Sequence, residues 1–182
     1  MAMKCRIWSN QELMKFAPQY TGRVVNVSGW KDDDKQGRKY RDYFTKATEY
    51  KLTNFPGERG WQEGDIVLDL ESQYLSDELI GRFDVVFNHT TIEHIFTFKV
   101  AFDNLCKITT DRVIIVVPKA QKWHGTQDYG DYWRFTEQAL EKMFKGNFME
   151  IEYMSESDTE DGIYLFCIAS KSKYETQHRL SQ

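Results

Sequence analysis

Cysteine and proline are scarce in this sequence of 182 residues, at three each. Cys5, Cys106 and Cys167 lie far apart without Cys-x-x-Cys spacing, which argues against a disulfide framework or a zinc ribbon and favours a reducing compartment. No stretch approaches the roughly 18 apolar residues of a membrane span, and the first residues lack the apolar core of a signal peptide. We therefore expect a soluble, cytoplasmic protein without a membrane partner.

Positive charge is not in excess either. The formal net charge is −4, from 24 basic and 28 acidic residues, so nucleic acid is not an expected partner. The local basic run at 35–41 stands beside the acidic residues 32–34, and we interpret both as a solvated charged loop. Hydrophobic residues make up 41% of the chain and aromatic residues 15%, enough for one core. We expect a single domain over 1–182, with a helix at about 9–17, a core at about 22–170 and a short C-terminal tail.

Seven short apolar segments have the length and composition of β-strands. Several are apolar without alternation, as expected for strands that helices cover on both faces. The segments are "VVNV" (24–27), "TEYKL" (48–52), "DIVLDL" (65–70), "FDVVF" (83–87), "RVIIVV" (112–117), "FMEIEYM" (148–154) and "GIYLFCIAS" (162–170).

Helical patterns separate these segments. Ser9 and Glu12 spell a capping box for the first helix, Ser76 is a candidate cap for a short one, and Thr97 and Thr136 precede two longer ones. The alternation predicts an α/β, Rossmann-like, doubly wound sheet of seven strands, mostly parallel, with a C-terminal hairpin that makes one strand antiparallel. Ligands of such sheets bind beyond the carboxyl ends of the strands, where the strand order reverses.

The stretch "HTTIEH" at 89–94 places two imidazoles and a carboxylate after the fourth strand segment. His89 and His94 are five positions apart, about 500° around a helix, so they would not share a helical face. A metal-dependent hydrolase that uses His89, Glu93, His94 and His124 remains one alternative.

Two motifs carry a family resemblance. "FDVVFNHTTIEHI" and "GDYWRFTEQAL", with "VVNVSG" leading to "YRDYF", resemble small bacterial members of the class I S-adenosylmethionine-dependent methyltransferases, of the type-11-like kind, over roughly residues 22–148. The resemblance implies S-adenosylmethionine (SAM) as cofactor and a role for each strand end. Asn26, Ser28 and Gly29 would approach the methionine part, Asn54 the ribose, Asp69 and Leu70 the adenine, and Asn88, His89 and Thr90 the sulfonium.

The chain departs from the family pattern at the cofactor loop. Asn26 takes the acidic place and Ser28 that of the first glycine, although glycine reaches positive φ without Cβ strain. Asn54 replaces a ribose-binding carboxylate, which we expect to weaken cofactor binding by about 1–2 kcal/mol. Related enzymes that have Glu-x-x-Glu-His at the position of "TTIEH" (90–94) use those residues to bind magnesium. Thr90 replaces the first of those glutamates here, so we predict no metal.

For catalysis we expect His94, Glu93 and Asp131 at the acceptor side. Asp131 either borders the acceptor or forms an ion pair with Arg134 that locks the loop. The leading hypothesis is SAM-dependent methyl transfer to oxygen or nitrogen of a small molecule or sugar. The alternative is a non-catalytic methyltransferase-like binding or scaffold module with a decayed cofactor site. Because no large substrate-recognition insertion is evident, either the acceptor is small, or a partner subunit or second copy completes the pocket.

Overall fold

The computed structural model describes residues 3–57 and 60–172. Most of the expected C-terminal tail lies outside these ranges. Within them, no helix has the length and apolar character needed to cross a membrane.

One sheet of seven strands in the order β3-β2-β1-β4-β5-β7-β6 organises the chain. β7 is antiparallel to β5 and to β6, and the pairs from β3 to β5 are parallel, so the predicted fold class is confirmed. The strands are β1 (Thr21–Val27), β2 (Lys46–Asn54), β3 (Ile66–Val67), β4 (Phe83–His89), β5 (Thr109–Ala120), β6 (Met149–Glu156) and β7 (Ile163–Lys171).

Helices cover both faces of this sheet. Helix α1 (Lys4–Phe16) and the 3₁₀ turn Tyr40–Tyr43 pack on one face, and helices α2 (Phe98–Lys107) and α3 (Glu137–Gly146) pack on the other. Residues 113–117 of β5 are all 0% exposed between the two layers. Burying each of these side chains contributes about 1.5–3 kcal/mol, which explains the unbroken apolar run in the central strand.

The helix starts were predicted with mixed success. The Thr136 hydroxyl accepts from the Ala139 amide (3.2 Å) and caps α3 as predicted. Helix α1, however, begins five residues before the predicted capping box, at Lys4, and Ser9 lies inside it. Its first amides donate instead to the carboxylate of Asp161, from the turn between β6 and β7. The segment after Ser76 forms only a turn.

Candidate functional site

A cavity of about 860 Å³ opens at the carboxyl ends of the first four strands. The order of strands along the chain reverses between β1 and β4, so the cavity lies where open α/β sheets bind ligands. Its volume falls in the range of small-molecule sites, roughly 300–1,000 Å³. Six of the predicted site residues line it: Ser28, Asn54, Asp69, Leu70, Thr90 and His94.

The loop after β1 has a glycine-like backbone without the glycine. Ser28 and Trp30 have φ angles of 52° and 49°, a region that costs an L-residue about 1–2 kcal/mol. The Ser28 amide donates to the Thr53 hydroxyl (3.1 Å), which helps to hold this conformation. A Cβ on Gly29 would lie 2.7 Å from the Asn26 side chain, so the retained glycine is required by close approach.

The buried Asp32 carboxylate stabilises the same loop by accepting hydrogen bonds. Asp32 is 2% exposed, and its carboxylate accepts from the Asn26 amide group (2.9 Å), the Tyr50 hydroxyl (2.7 Å) and the Arg41 backbone amide (3.1 Å). A buried carboxylate six residues later in the chain thus contacts the Asn26 side chain. Asn26 faces this carboxylate and is not among the cavity-lining residues of the described chain. The prediction of a solvated acidic run is wrong for Asp32 and for Asp34, which is 0% exposed.

Asn54, at the expected ribose position, is committed to protein contacts. Its Oδ1 accepts from the Trp30 amide (3.0 Å), while Nδ2 donates to the Trp30 carbonyl (3.2 Å) and to the Asp65 carboxylate (2.8 Å). The side chain thus fastens the first loop to the end of β2. The Trp30 ring in turn lies so close to Gly60 that a Cβ there would be 1.6 Å from ring atom Cδ1.

The three predicted residues at the end of β4 are Asn88, His89 and Thr90, and their side chains do not all lie on the same face of the sheet. Thr90 lines the cavity, and Asn88 is buried with its Nδ2 donating to the Val27 carbonyl (3.0 Å). His89 points to the other face, because side chains alternate along a strand. Its ring packs under α1, where Nε2 is 2.8 Å from the Ser9 hydroxyl, and burial holds its pKa well below the usual value. The expectation that His89 faces the cofactor is therefore wrong for its side chain.

Glu93 and His94 follow in the 3₁₀ turn Ile92–His94. Glu93 is 0% exposed, and no described residue donates a hydrogen bond to either carboxylate oxygen. Burial raises the pKa of Glu93 to about 8. Because the Gly130 carbonyl only accepts, the imidazole Nδ1 of His94 donates to it (2.6 Å), and Nε2 lies 3.7 Å from the Glu93 carboxylate. Burial lowers the pKa of His94.

Asp131 forms an ion pair with Arg134 within the loop after β5. Arg134 donates to both of its oxygens (2.5 and 2.8 Å), and the His124 backbone amide donates as well (2.8 Å). These contacts, led by the Arg134 hydrogen bond, lower the pKa of Asp131 to about 2. The ion-pair alternative therefore describes Asp131, whose carboxylate is fully buried and is not among the cavity-lining groups of residues 3–57 and 60–172.

The cavity also contains aromatic side chains that the sequence reasoning missed as ligand contacts. Trp30, Phe55 and Tyr129 line it. The one sequence signal for them is their position just after predicted strands. The tetrad of the hydrolase hypothesis is not assembled, since His124 joins Glu93 and His94 while His89 lies under α1.

Comparison with solved structures places this architecture among the class I SAM-dependent methyltransferase folds. The magnesium protoporphyrin IX methyltransferase of Synechocystis PCC 6803, solved with bound SAM, matches with a TM-score of 0.62 and 12% identity, over 92% of this chain and 79% of that one. A 1,6-didemethyltoxoflavin-N1-methyltransferase from Burkholderia thailandensis, solved with 1,6-didemethyltoxoflavin and S-adenosylhomocysteine, matches with a TM-score of 0.62 and 14% identity, over 92% and 81%.

A SAM-dependent methyltransferase from Mesorhizobium loti has a TM-score of 0.63 and 11% identity, over 92% of this chain and 99% of that one. No protein-family model matches the sequence, and no curated protein sequence is significantly similar to it. At these identities the likeness shows the fold, and the activity is argued below from the site.

Proposed function

We propose that this protein is a SAM-dependent methyltransferase that acts on oxygen or nitrogen of a small molecule or sugar. The observation that carries the proposal is the cavity at the strand-order reversal, bordered by a first loop with a glycine-like backbone. SAM, when bound, would supply an electrophilic methyl group on its sulfonium.

The cofactor end of the cavity is formed by the first three strand ends. Ser28 lines this end, and its positive φ lets the backbone follow the path that a glycine would take. Leu68 and Leu70 offer apolar surface for an adenine ring, and Asp69 between them is exposed. Asn54 acts here through the loop that it fastens, as a positioning residue.

The acceptor end is formed by Thr90, His94, Tyr129 and Tyr132. Methyl transfer needs the acceptor atom held in line with the methyl carbon at near-contact distance. The acceptor atom loses its proton as the new bond to carbon forms, and the adjacent pair of Glu93 and His94 provides groups for that proton. The hydrogen-bonded ion pair between Asp131 and Arg134 positions the loop that carries Tyr129 and Tyr132.

Calorimetric titration with SAM and with S-adenosylhomocysteine tests the proposal. We expect saturable binding. Ser28→Trp should abolish it, because the large side chain would occupy part of the cavity that Ser28 lines. Ser76→Trp is the matched control, since Ser76 is exposed and is not among the described cavity-lining residues. Absence of heat and of a thermal shift at millimolar ligand would refute the methyltransferase proposal.

One observation favours the alternative of a non-catalytic module. The Asn54 side chain is occupied by Trp30 and Asp65, so the usual ribose partner is missing from this position. A chain that binds neither SAM nor S-adenosylhomocysteine, and that transfers no methyl group to any acceptor in a screen of hydroxyl and amine compounds, would support that alternative.

A further inference from the structure

Three side chains with metal-ligating atoms converge beside the acceptor end of the cavity. One ligand atom from each of Glu93, His94 and His124 lies within 4.8 Å of the other two. Two of them belong to the 3₁₀ turn after β4, and the third comes from the loop after β5. The fold thus brings them together from separate strand ends.

The environment of the Glu93 carboxylate indicates that a ligand binds at this position. It is 0% exposed, and none of the residues described in the structure donates to either oxygen. Buried polar groups in native proteins are nearly always hydrogen-bonded, and a buried carboxylate is paired or coordinates a metal. A cation bound next to Glu93 would supply the missing partner.

Both imidazoles are oriented as they are in metal sites. The Nδ1 of His94 donates to the Gly130 carbonyl (2.6 Å), and the Nδ1 of His124 lies 3.1 Å from the Asp131 carboxylate. Each contact fixes the proton on Nδ1 and leaves the Nε2 lone pair for a ligand. Metal-binding histidines usually make this second contact to a carbonyl or carboxylate, which orients the ring.

We propose that Glu93, His94 and His124 bind a divalent metal ion of the zinc type. Two imidazoles and one carboxylate suit Zn²⁺, whereas Mg²⁺ favours an all-oxygen set. The sequence favoured no metal because Thr90 replaces a glutamate, and it offered His124 as a ligand only within the hydrolase alternative.

The open coordination position would serve the acceptor. Catalytic zinc sites have three protein ligands and one exchangeable position, and His94 lines the cavity. An ion there would bind an acceptor hydroxyl and favour loss of its proton to solvent, in place of direct proton transfer to His94. This catalytic use rests on the proposed function, whereas the binding of the ion does not.

Metal binding is measured on the cofactor-free protein. Calorimetric titration with Zn²⁺ should show one site, and Co²⁺ at the same site should give the intense visible absorption of low-coordinate cobalt. We expect His94→Ala and His124→Ala each to weaken Zn²⁺ binding by roughly tenfold or more, and the near-isosteric Glu93→Gln to weaken it as well. His89→Ala, which removes the histidine that lies under α1, should leave it unchanged.

Failure to bind Zn²⁺, or binding that is equally strong in His94→Ala and His124→Ala, would overturn the proposal. Circular dichroism and thermal unfolding of each variant show whether it still folds, and Glu93→Gln provides a conservative variant if an alanine variant does not. Because the SAM titration is run without metal and the metal titration without SAM, failure of either proposal is recognised separately.

Discussion

The Asn54→Asp variant is expected to unfold more easily than the wild type and to bind SAM more weakly. The amide Nδ2 donates to the Trp30 carbonyl at 3.2 Å and to the Asp65 carboxylate at 2.8 Å. Aspartate has no proton to donate near neutral pH, so both bonds are lost and two carboxylates face each other. A neutral hydrogen bond contributes about 1 kcal/mol and one to a charged group about 1.5–3 kcal/mol, which gives a loss of about 3 kcal/mol.

In a chain of this length, a loss of about 3 kcal/mol lowers Tm by roughly 6–12 °C. Differential scanning calorimetry measures that change, and titration with SAM measures the effect of releasing the Trp30 loop. The double variant with Asp65→Asn should recover most of the stability, because the amide introduced by the second substitution could donate to the new carboxylate. Lowering the pH should also relieve the single variant as one carboxyl takes up a proton. If Asn54→Asp instead keeps its Tm and binds SAM more tightly, Asn54 contacts the ribose and the reasoning is wrong.

Three further perturbations test the start of α1, an ion pair at the amino-terminal ends of β1 and β4, and the packing of the Trp30 ring. Asp161→Ala should destabilise the protein by about 1 kcal/mol in urea unfolding, because it removes the carboxylate that caps α1. Arg23 holds the pKa of Asp84 at about 2, below its ordinary 3.8, so the pair stabilises the fold above about pH 4 and its contribution is lost as the pH falls through about 2. Asp84→Asn should thus lower stability by only about 1 kcal/mol at pH 7, given solvent screening, and the difference should vanish towards pH 2. Gly60→Ala should displace the Trp30 ring, detected as a change in tryptophan fluorescence and weaker SAM binding.

Local sequence determined the strands and one helix start. Residues 113–117 are apolar without alternation and all β-branched, which is typical of a short strand covered on both faces, so β5 was predictable. The Thr136 cap was also predictable from local sequence, because its hydroxyl accepts from an amide only three residues away. The start of α1 was not, because its capping carboxylate, Asp161, comes from a turn at the other end of the chain.

The candidate site was predictable as a set of strand ends but not as a set of contacts. Thr90 and His94 line the cavity, as expected from their position after β4. The direction of the His89 ring depends on Ser9 in α1, and the role of Asn54 depends on Asp65 in a loop. Neither partner is marked by spacing or residue type, so the sequence could indicate the positions of these residues but not their partners.

The two departures in the cofactor loop are best explained together. A loop without its first glycine adopts positive φ at Ser28 and Trp30 only if neighbouring groups stabilise that strained conformation. Asn54 does so with an acceptor for the Trp30 amide and a donor for the Trp30 carbonyl, and a carboxylate could provide only the first. The loss of the ribose carboxylate is therefore the change that holds the serine-containing loop in place. Random decay would not be expected to pair the two substitutions in this way, which favours a rebuilt cofactor loop over an abandoned one.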